Sequence, residues 1–195
     1  MSRSLVAVAG FSAIVLLVSP LSQPLPSAAP LLSGGSAGTP APVLAPGFAR
    51  GSESGLAMPR FVSLKPRKAR LRIGPSLDYA TRFIYVAPGL PLEVIQEYGR
   101  WRQVRDSDGT SGWMYGSLLS GQRTGIVGPW LSANVPLRVA ANAKATAIAV
   151  LQPKVLLRLS ACDGSWCRVH LSGLRLTGYI RQAAIWGAYP GEVFG

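Results

Sequence analysis

Leu71-Arg72-Ile73, Pro88, Leu92, Val94, Gly99, Trp101, Val104, Gly112-Trp113-Met114, Leu119 and Gly121 recur in the same order further along the chain. They return as Leu137-Arg138-Val139, Pro153, Leu157, Leu159, Gly164, Trp166, Val169, Gly178-Tyr179-Ile180, Ile185 and Gly187. The two sets stay 65 or 66 residues apart throughout, which composition alone does not produce. A period this long exceeds the common solenoid repeats and suffices for a small folding unit. The 195-residue chain therefore reads as two tandem modules.

Inside each module the apolar residues alternate with period two. Leu71 and Ile73 alternate with Arg70 and Arg72; Leu92, Val94 and Gln96 with Glu93, Ile95 and Glu97; Val135, Leu137 and Val139 with Pro136 and Arg138. That pattern marks half-buried antiparallel strands. Turn signals fall between them: Gly74-Pro75-Ser76, Pro88-Gly89, Gly99-Arg100 and Asp106-Ser107-Asp108-Gly109, then Pro153-Lys154, Asp163-Gly164 and Ser172-Gly173. Asp108-Gly109 and Asp163-Gly164 suit tight hairpins, because glycine accepts positive φ. No stretch within the repeats carries a helical stripe. Units of this size with about five short strands close best as small barrels.

These landmarks resemble the bacterial Src-homology-3-like domain family. Arg72, Gly74, Pro75 and Ser76 match its opening, and Gly99 with Trp101, Gly112 with Trp113, and Leu118-Leu119-Ser120 complete the pattern. The second copy is looser, with Ala140 and Ala141 in place of Gly-Pro and Tyr179 in place of the tryptophan. Arg70 stands where the family opening has Asn. The resemblance implies an all-β chain of two tandem Src-homology-3-like barrels, over residues 59–127 and 128–195. It also implies envelope or cell-wall targeting, a role such domains often perform beside a hydrolase.

The first third is different. Arg3 precedes an uncharged apolar run from Leu5 to Val18, the layout of a secretory signal or an uncleaved N-terminal anchor over residues 1–29. Residues 30–58 are mostly Pro, Ala, Gly, Ser and Leu. They bury too little surface to offset ordering entropy and read as a flexible linker. Both modules are thereby expected outside the cytoplasm, in the periplasm or cell envelope.

The chain carries a net charge of +12. Arg60, Lys65, Arg67, Lys68, Arg70 and Arg72 concentrate six positive charges at the start of the first module. Outside the cytoplasm such a surface faces anionic envelope polymers, acidic headgroups or acidic proteins, and export argues against nucleic acid.

Cys162 and Cys167 are the only cysteines, in the string Cys-Asp-Gly-Ser-Trp-Cys. Export favours a disulfide. If Asp163 to Trp166 form a four-residue loop, the cysteines face each other; a two-residue turn at Asp163-Gly164 would set them diagonally. The repeat places Glu97 and Arg102 at the equivalent positions, where a cross-strand ion pair would tie the same hairpin tip. A metal site lacks ligands beyond His170 and Asp163, and a redox pair would need different spacing. His170, three residues along the strand from Cys167, projects to the opposite face and does not serve as its base.

The sequence contains no nucleophile elbow, phosphate loop or zinc motif. Asp106 and Asp108 read as a turn, since no glutamate completes a calcium loop. No cofactor or metal is expected, and the chain reads as non-enzymatic. The candidate ligand residues are Arg72, Tyr79, Tyr85, Trp101, Tyr115 and Trp166, which suit peptide or sugar recognition. Trp113 and Tyr179 are expected in the cores, and Trp130 between the modules. The functional expectation is an exported binding module for a cell-wall glycan or peptide. The alternative is a structural accessory protein whose basic face docks an acidic extracytoplasmic partner. Membrane contact is expected only through an uncleaved N-terminal segment.

Overall fold

A computed structural model describes residues 47–171 and 173–195. The signal or anchor segment expected over residues 1–29, and the linker up to residue 46, lie outside the described residues. Among the described residues there is no α-helix; each module carries one 3-10 turn, Gly116–Leu118 and Gln182–Ala184.

The first sheet contains β3 (Arg60–Leu64), β4 (Ala69–Arg72), β5 (Thr81–Tyr85), β6 (Pro91–Tyr98), β7 (Trp101–Arg105), β8 (Ser111–Tyr115) and β9 (Leu119–Ser120). Its order is β5-β4-β8-β7-β6-β3-β9. The second contains β10 (Thr124–Val127), β11 (Val135–Arg138), β12 (Ala147–Leu151), β13 (Leu156–Asp163), β14 (Trp166–Leu171), β15 (Leu176–Arg181) and β16 (Ile185–Trp186). Its order, β12-β11-β15-β14-β13-β10-β16, repeats the first strand for strand, with β17 (Val193–Phe194) added on β13. Thr124–Val127, read from sequence as the end of the first repeat, is hydrogen-bonded into the second sheet through β13 and β16.

Each module owns its interior. Leu64, Leu71, Leu92, Val94, Val104 and Met114 fill the first. Val127, Leu137, Leu157, Leu159, Val169 and Ile180 fill the second. Each such side chain contributes about 1.5–3 kcal/mol when fully buried. The core residues of the Gly-aromatic-apolar strands are Met114 and Ile180, not Trp113 and Tyr179, which stand half-buried on the other face. The glycine explains the phase. A Cβ at Gly112 would meet the Arg72 carbonyl at 2.7 Å, and one at Gly178 the Arg138 carbonyl at 2.7 Å. Glycine and the apolar residue thus share the inner face, and the ring goes outward.

A β-bulge between Val94 and Gln96 shifts the next residues of β6 by one position, and β13 repeats it between Leu159 and Ala161. The expected alternation of Gln96 with Val94 is broken there: Glu97 turns inward and Gln96 outward. Cys162, at the position of Glu97, packs in the second core.

Residues 49–58 depart from the flexible linker expected of them. β1 (Ala49–Arg50) pairs with β2 (Ala57–Met58), and the turn between them is fastened to Glu97. The Glu97 carboxylate accepts from the backbone N–H groups of Glu53 and Ser54 at 3.0 and 2.9 Å, and from the Ser54 hydroxyl at 2.7 Å. Arg60 and Arg102 pair with it at 2.8 and 3.2 Å.

The modules meet through aromatics that the repeat does not share. Phe61 lies 5.1 Å from Trp186 edge-on and 4.7 Å from Tyr189. The Tyr189 hydroxyl donates to Glu93 at 3.0 Å, and Arg105 Nη2 pairs with the same carboxylate at 2.6 Å. Trp130, expected between the modules, is 56 % exposed and folds over Gly128, where a Cβ would come within 2.5 Å of its ring.

Candidate functional site

β4, β7 and β8 of the first module enclose a groove of about 380 Å³ lined by Lys68, Arg70, Arg72, Leu77, Trp101 and Tyr115. Antiparallel register sets Trp101 opposite Tyr115, so both rings reach the same side. They meet edge to face, 5.3 Å apart at 89°. Arg100 Nη1 donates to the Tyr115 hydroxyl at 3.3 Å and fixes its outer edge. Lys68 and Arg70 are exposed and their side chains bond to no described residue. The groove thus presents a half-open indole beside two uncommitted cations. Such a surface holds a flat apolar group and a carboxylate or phosphate together.

Of the candidates read from sequence, the structure gathers Arg72, Trp101 and Tyr115 here, with Lys68 and Arg70 of the basic cluster. Arg72 also has a structural duty. Its Nη1 donates to the carbonyls of Leu77 and Tyr79 at 2.9 and 2.6 Å, closing the loop after β4. Arg138 does the same in the second module, donating to Ala145 at 2.6 Å. Tyr79 is 47 % exposed beside the groove, its ring over Gly74.

The other candidates lie elsewhere. Tyr85 is buried in the first core and its hydroxyl donates to Asp106 at 2.8 Å. Burial first, then that carboxylate, raises its pKa well above the tyrosine range. It presents no contact surface. Arg60 is tied to Glu97 and is withdrawn from the open basic surface, whereas Lys65, Arg67, Lys68 and Arg70 remain exposed.

The second module contains the same groove, closed. Pro136, Arg138, Ala143, Trp166 and Arg181 stand where Arg70, Arg72, Leu77, Trp101 and Tyr115 stand in the first, and only about 100 Å³ remains. The guanidinium carbon of Arg181 sits 4.2 Å from the Trp166 ring centre, and Trp166 is 8 % exposed. Trp166, offered by sequence as a contact residue, is therefore covered by its own chain. Arg181 escaped the sequence reading, although its 66-residue offset from Tyr115 was there to find it.

Cys162 and Cys167 form a disulfide and are directly paired across β13 and β14, with Cα atoms 4.1 Å apart. Gly164 has φ +92°, and the Asp163 side chain accepts from the N–H groups of Ser165 and Trp166 at 2.8 and 2.7 Å. Those bonds, Trp166 first, lower the Asp163 pKa. At the equivalent tip, Glu97 and Arg102 are paired in register and in contact, and Gly99 has φ +50°. His170 lies half-buried with Nδ1 3.1 Å from the Thr177 hydroxyl, away from the buried sulfur of Cys167. Among the described residues no group of three or more His, Cys, Asp or Glu side chains is placed to hold a metal.

A family model described as a bacterial SH3 domain matches the chain twice, over residues 65–121 and 132–187. No curated protein matches it. Among solved structures, the chain is similar to two from Trichomonas vaginalis. One is NlpC2, at TM-score 0.31 and 11 % identity over 66 % of this chain and 48 % of that one. The other is NlpC1, at TM-score 0.30 and 11 % identity over 73 % of this chain and 50 % of that one. The chain spans about half the length of each, and at these scores nothing further rests on the likeness.

Proposed function

Since the chain belongs to the bacterial SH3 domain family, we propose that it is an exported, non-catalytic binding protein for a cell-envelope polymer. The recognised element is a peptidoglycan-like glycan or peptide, held in the first-module groove. The observation that carries this reading is Trp101, half-open beside Lys68 and Arg70, in a chain whose second copy of the groove is filled. The indole face takes a sugar ring or an apolar side chain, and the two cations take a carboxylate. Export is supported by the apolar leader in the sequence and by a disulfide, a bond typical of oxidising compartments. A non-catalytic role is supported by the family's character as a binding domain. It is also supported by the consumption of both cysteines in that bond, with His170 on the other face.

The test is retention of the full chain on purified peptidoglycan as salt is raised. Retention that persists at about 0.5 M salt, where the Debye length falls to roughly 4 Å, and that is lost in Trp101→Ala supports stacking in the groove. Binding that vanishes with salt and ignores Trp101→Ala overturns it. That outcome would favour the second reading, a basic face docking an acidic envelope protein, for which the net charge of +12 is the motive.

A further inference from the structure

A second cleft, of about 610 Å³, opens between the two modules and shares no residue with the groove. One wall is a row across three adjacent strands of the second sheet. Thr124 of β10 is paired with Arg158 of β13, and Arg158 with His170 of β14. Residues directly opposite in antiparallel strands point to the same face. Leu157 beside Arg158 is wholly in the core, so the row occupies the outer face, toward the first module. Lys65, just after β3, supplies a cation from the other wall; its Nζ makes a long 3.3 Å bond to the Ser117 carbonyl. Leu156 and Gly89 form part of the floor.

Three features of this cleft point to one ligand chemistry. Its described lining includes lysine, arginine and histidine but no carboxylate, so no described residue inside it neutralises the cations. Arg158 is exposed and its side chain bonds to no described residue. The Thr124 hydroxyl, on a residue 7 % exposed, lacks a hydrogen-bond partner among the described residues, an arrangement that buried hydroxyls rarely keep. A carboxylate offers two acceptor atoms. A phosphoryl group offers three to donors that converge from two sides, and a guanidinium engages it in bidentate fashion.

We propose that this cleft binds a phosphoryl oxyanion, held by Arg158, His170 and Thr124 of the second module and Lys65 of the first. The site needs both modules, which gives their fixed apposition a use apart from the groove.

His170 is the only histidine in the chain, so its ring signals in a proton spectrum report on this cleft without assignment. The full chain is titrated at fixed pH with inorganic phosphate, with a soluble glycerol phosphodiester, and with phosphatidylglycerol vesicles. Sodium chloride at matched ionic strength is the reference. A saturable shift or broadening of the His170 ring signals beyond the chloride reference is expected. The compound that evokes it tells whether the group arrives free, on a polymer or on a lipid. Arg158→Gln is expected to weaken that response by about tenfold or more, because it removes a hydrogen-bonded charge. Arg82→Gln, which removes one charge from the far edge of the first sheet, leaves it in place. No response beyond chloride with any of the three compounds overturns the proposal, as does a response equally weakened by both variants. Wild-type-like folding of Arg158→Gln is checked from its far-ultraviolet circular dichroism and unfolding midpoint; should it misfold, Lys65→Gln replaces it with the same expectation.

Discussion

Arg181 lies over the Trp166 ring, its guanidinium carbon 4.2 Å from the ring centre, in the place that Tyr115 takes beside Trp101. Two copies of one groove have thus diverged at the position that meets the indole, among others. In one, a tyrosine stands at the edge of the indole and leaves its face half-open. In the other, an arginine lies on it. A cation–π contact of this kind is worth roughly 0.5–2 kcal/mol, and a T-shaped aromatic pair about as much. Exchange between the two is therefore nearly neutral for stability and decisive for access.

That equivalence predicts a gain of function. In a Trp101→Ala background, where retention on peptidoglycan is lost, Arg181→Tyr is expected to open the second groove and restore retention. The restored binding should be weaker and less sensitive to salt, because Asn134 and Pro136 stand where Lys68 and Arg70 stand in the first copy. No recovery in a double variant that folds normally would show that opening this groove does not suffice.

Glu97 predicts a pH dependence. Burial by itself would raise its pKa, but bonds from the Ser54 hydroxyl, Arg60 and the backbone of Ser54 and Glu53 outweigh burial and hold it at about 2, against an ordinary 4.5. The folded value is the lower one, so its contribution is complete above the ordinary value and disappears as pH falls from 4.5 toward 2. The contribution is on the order of 3 kcal/mol. The urea midpoint of the wild type should fall across that window, and Glu97→Gln should flatten this part of the profile. Loss of the carboxylate also unfastens the β1–β2 hairpin, so trypsin cleavage after Arg50 should accelerate in the variant.

The disulfide predicts an asymmetry between the modules. A loop closed over five residue steps gains about 2 kcal/mol from chain entropy. Both sulfurs lie inside the second core, so replacing them with serine adds the cost of burying hydroxyls there. In a Phe61→Ala background, where the joint between the barrels is removed, Cys162→Ser/Cys167→Ser should lower the unfolding midpoint of the second module and leave the first where it was. Hydrogen exchange followed at the backbone of Val104 in the first core and of Val169 in the second distinguishes them. Equal loss in both modules would count against this account.

Strand identity was legible because period-two alternation and a constant offset report the core face directly. The cores of Leu71, Leu92 and Val104, and of Leu137, Leu157 and Val169, follow from it. The bulge at Val94/Gln96 was not legible, since an inserted residue has no composition of its own, and it alone reverses the face of Glu97. The folded end of the tether hangs on Glu97 across more than forty positions, a dependence no local composition reveals. Trp113 misled because size suggests burial, whereas the neighbouring Gly112 dictates the phase. Within the groove, Trp101, Arg72 and the basic cluster were visible as residue types. Which of them remained free was not: Arg60, Tyr85 and Trp166 each have a partner that only the folded chain supplies.

Phe61 is paired with Glu93 across β3 and β6, on the face turned away from the first core, and both meet Tyr189 of the second module. Phe61→Ala therefore removes the apolar joint between the modules without opening either interior. Deletion of a buried phenylalanine costs about 3–5 kcal/mol, and here that loss falls on the coupling between the modules. Calorimetry of the wild type should show the two barrels melting together. Phe61→Ala should divide the trace into two transitions, and reduction of the disulfide should then move only the later module's peak. Tyr189→Phe, which leaves one Glu93 oxygen without its donor, should do the same more weakly, by about 1 kcal/mol. A single unshifted transition in Phe61→Ala would mean that the aromatic joint carries no coupling, and that Asp108 with Lys154 and the backbone between the barrels hold them instead.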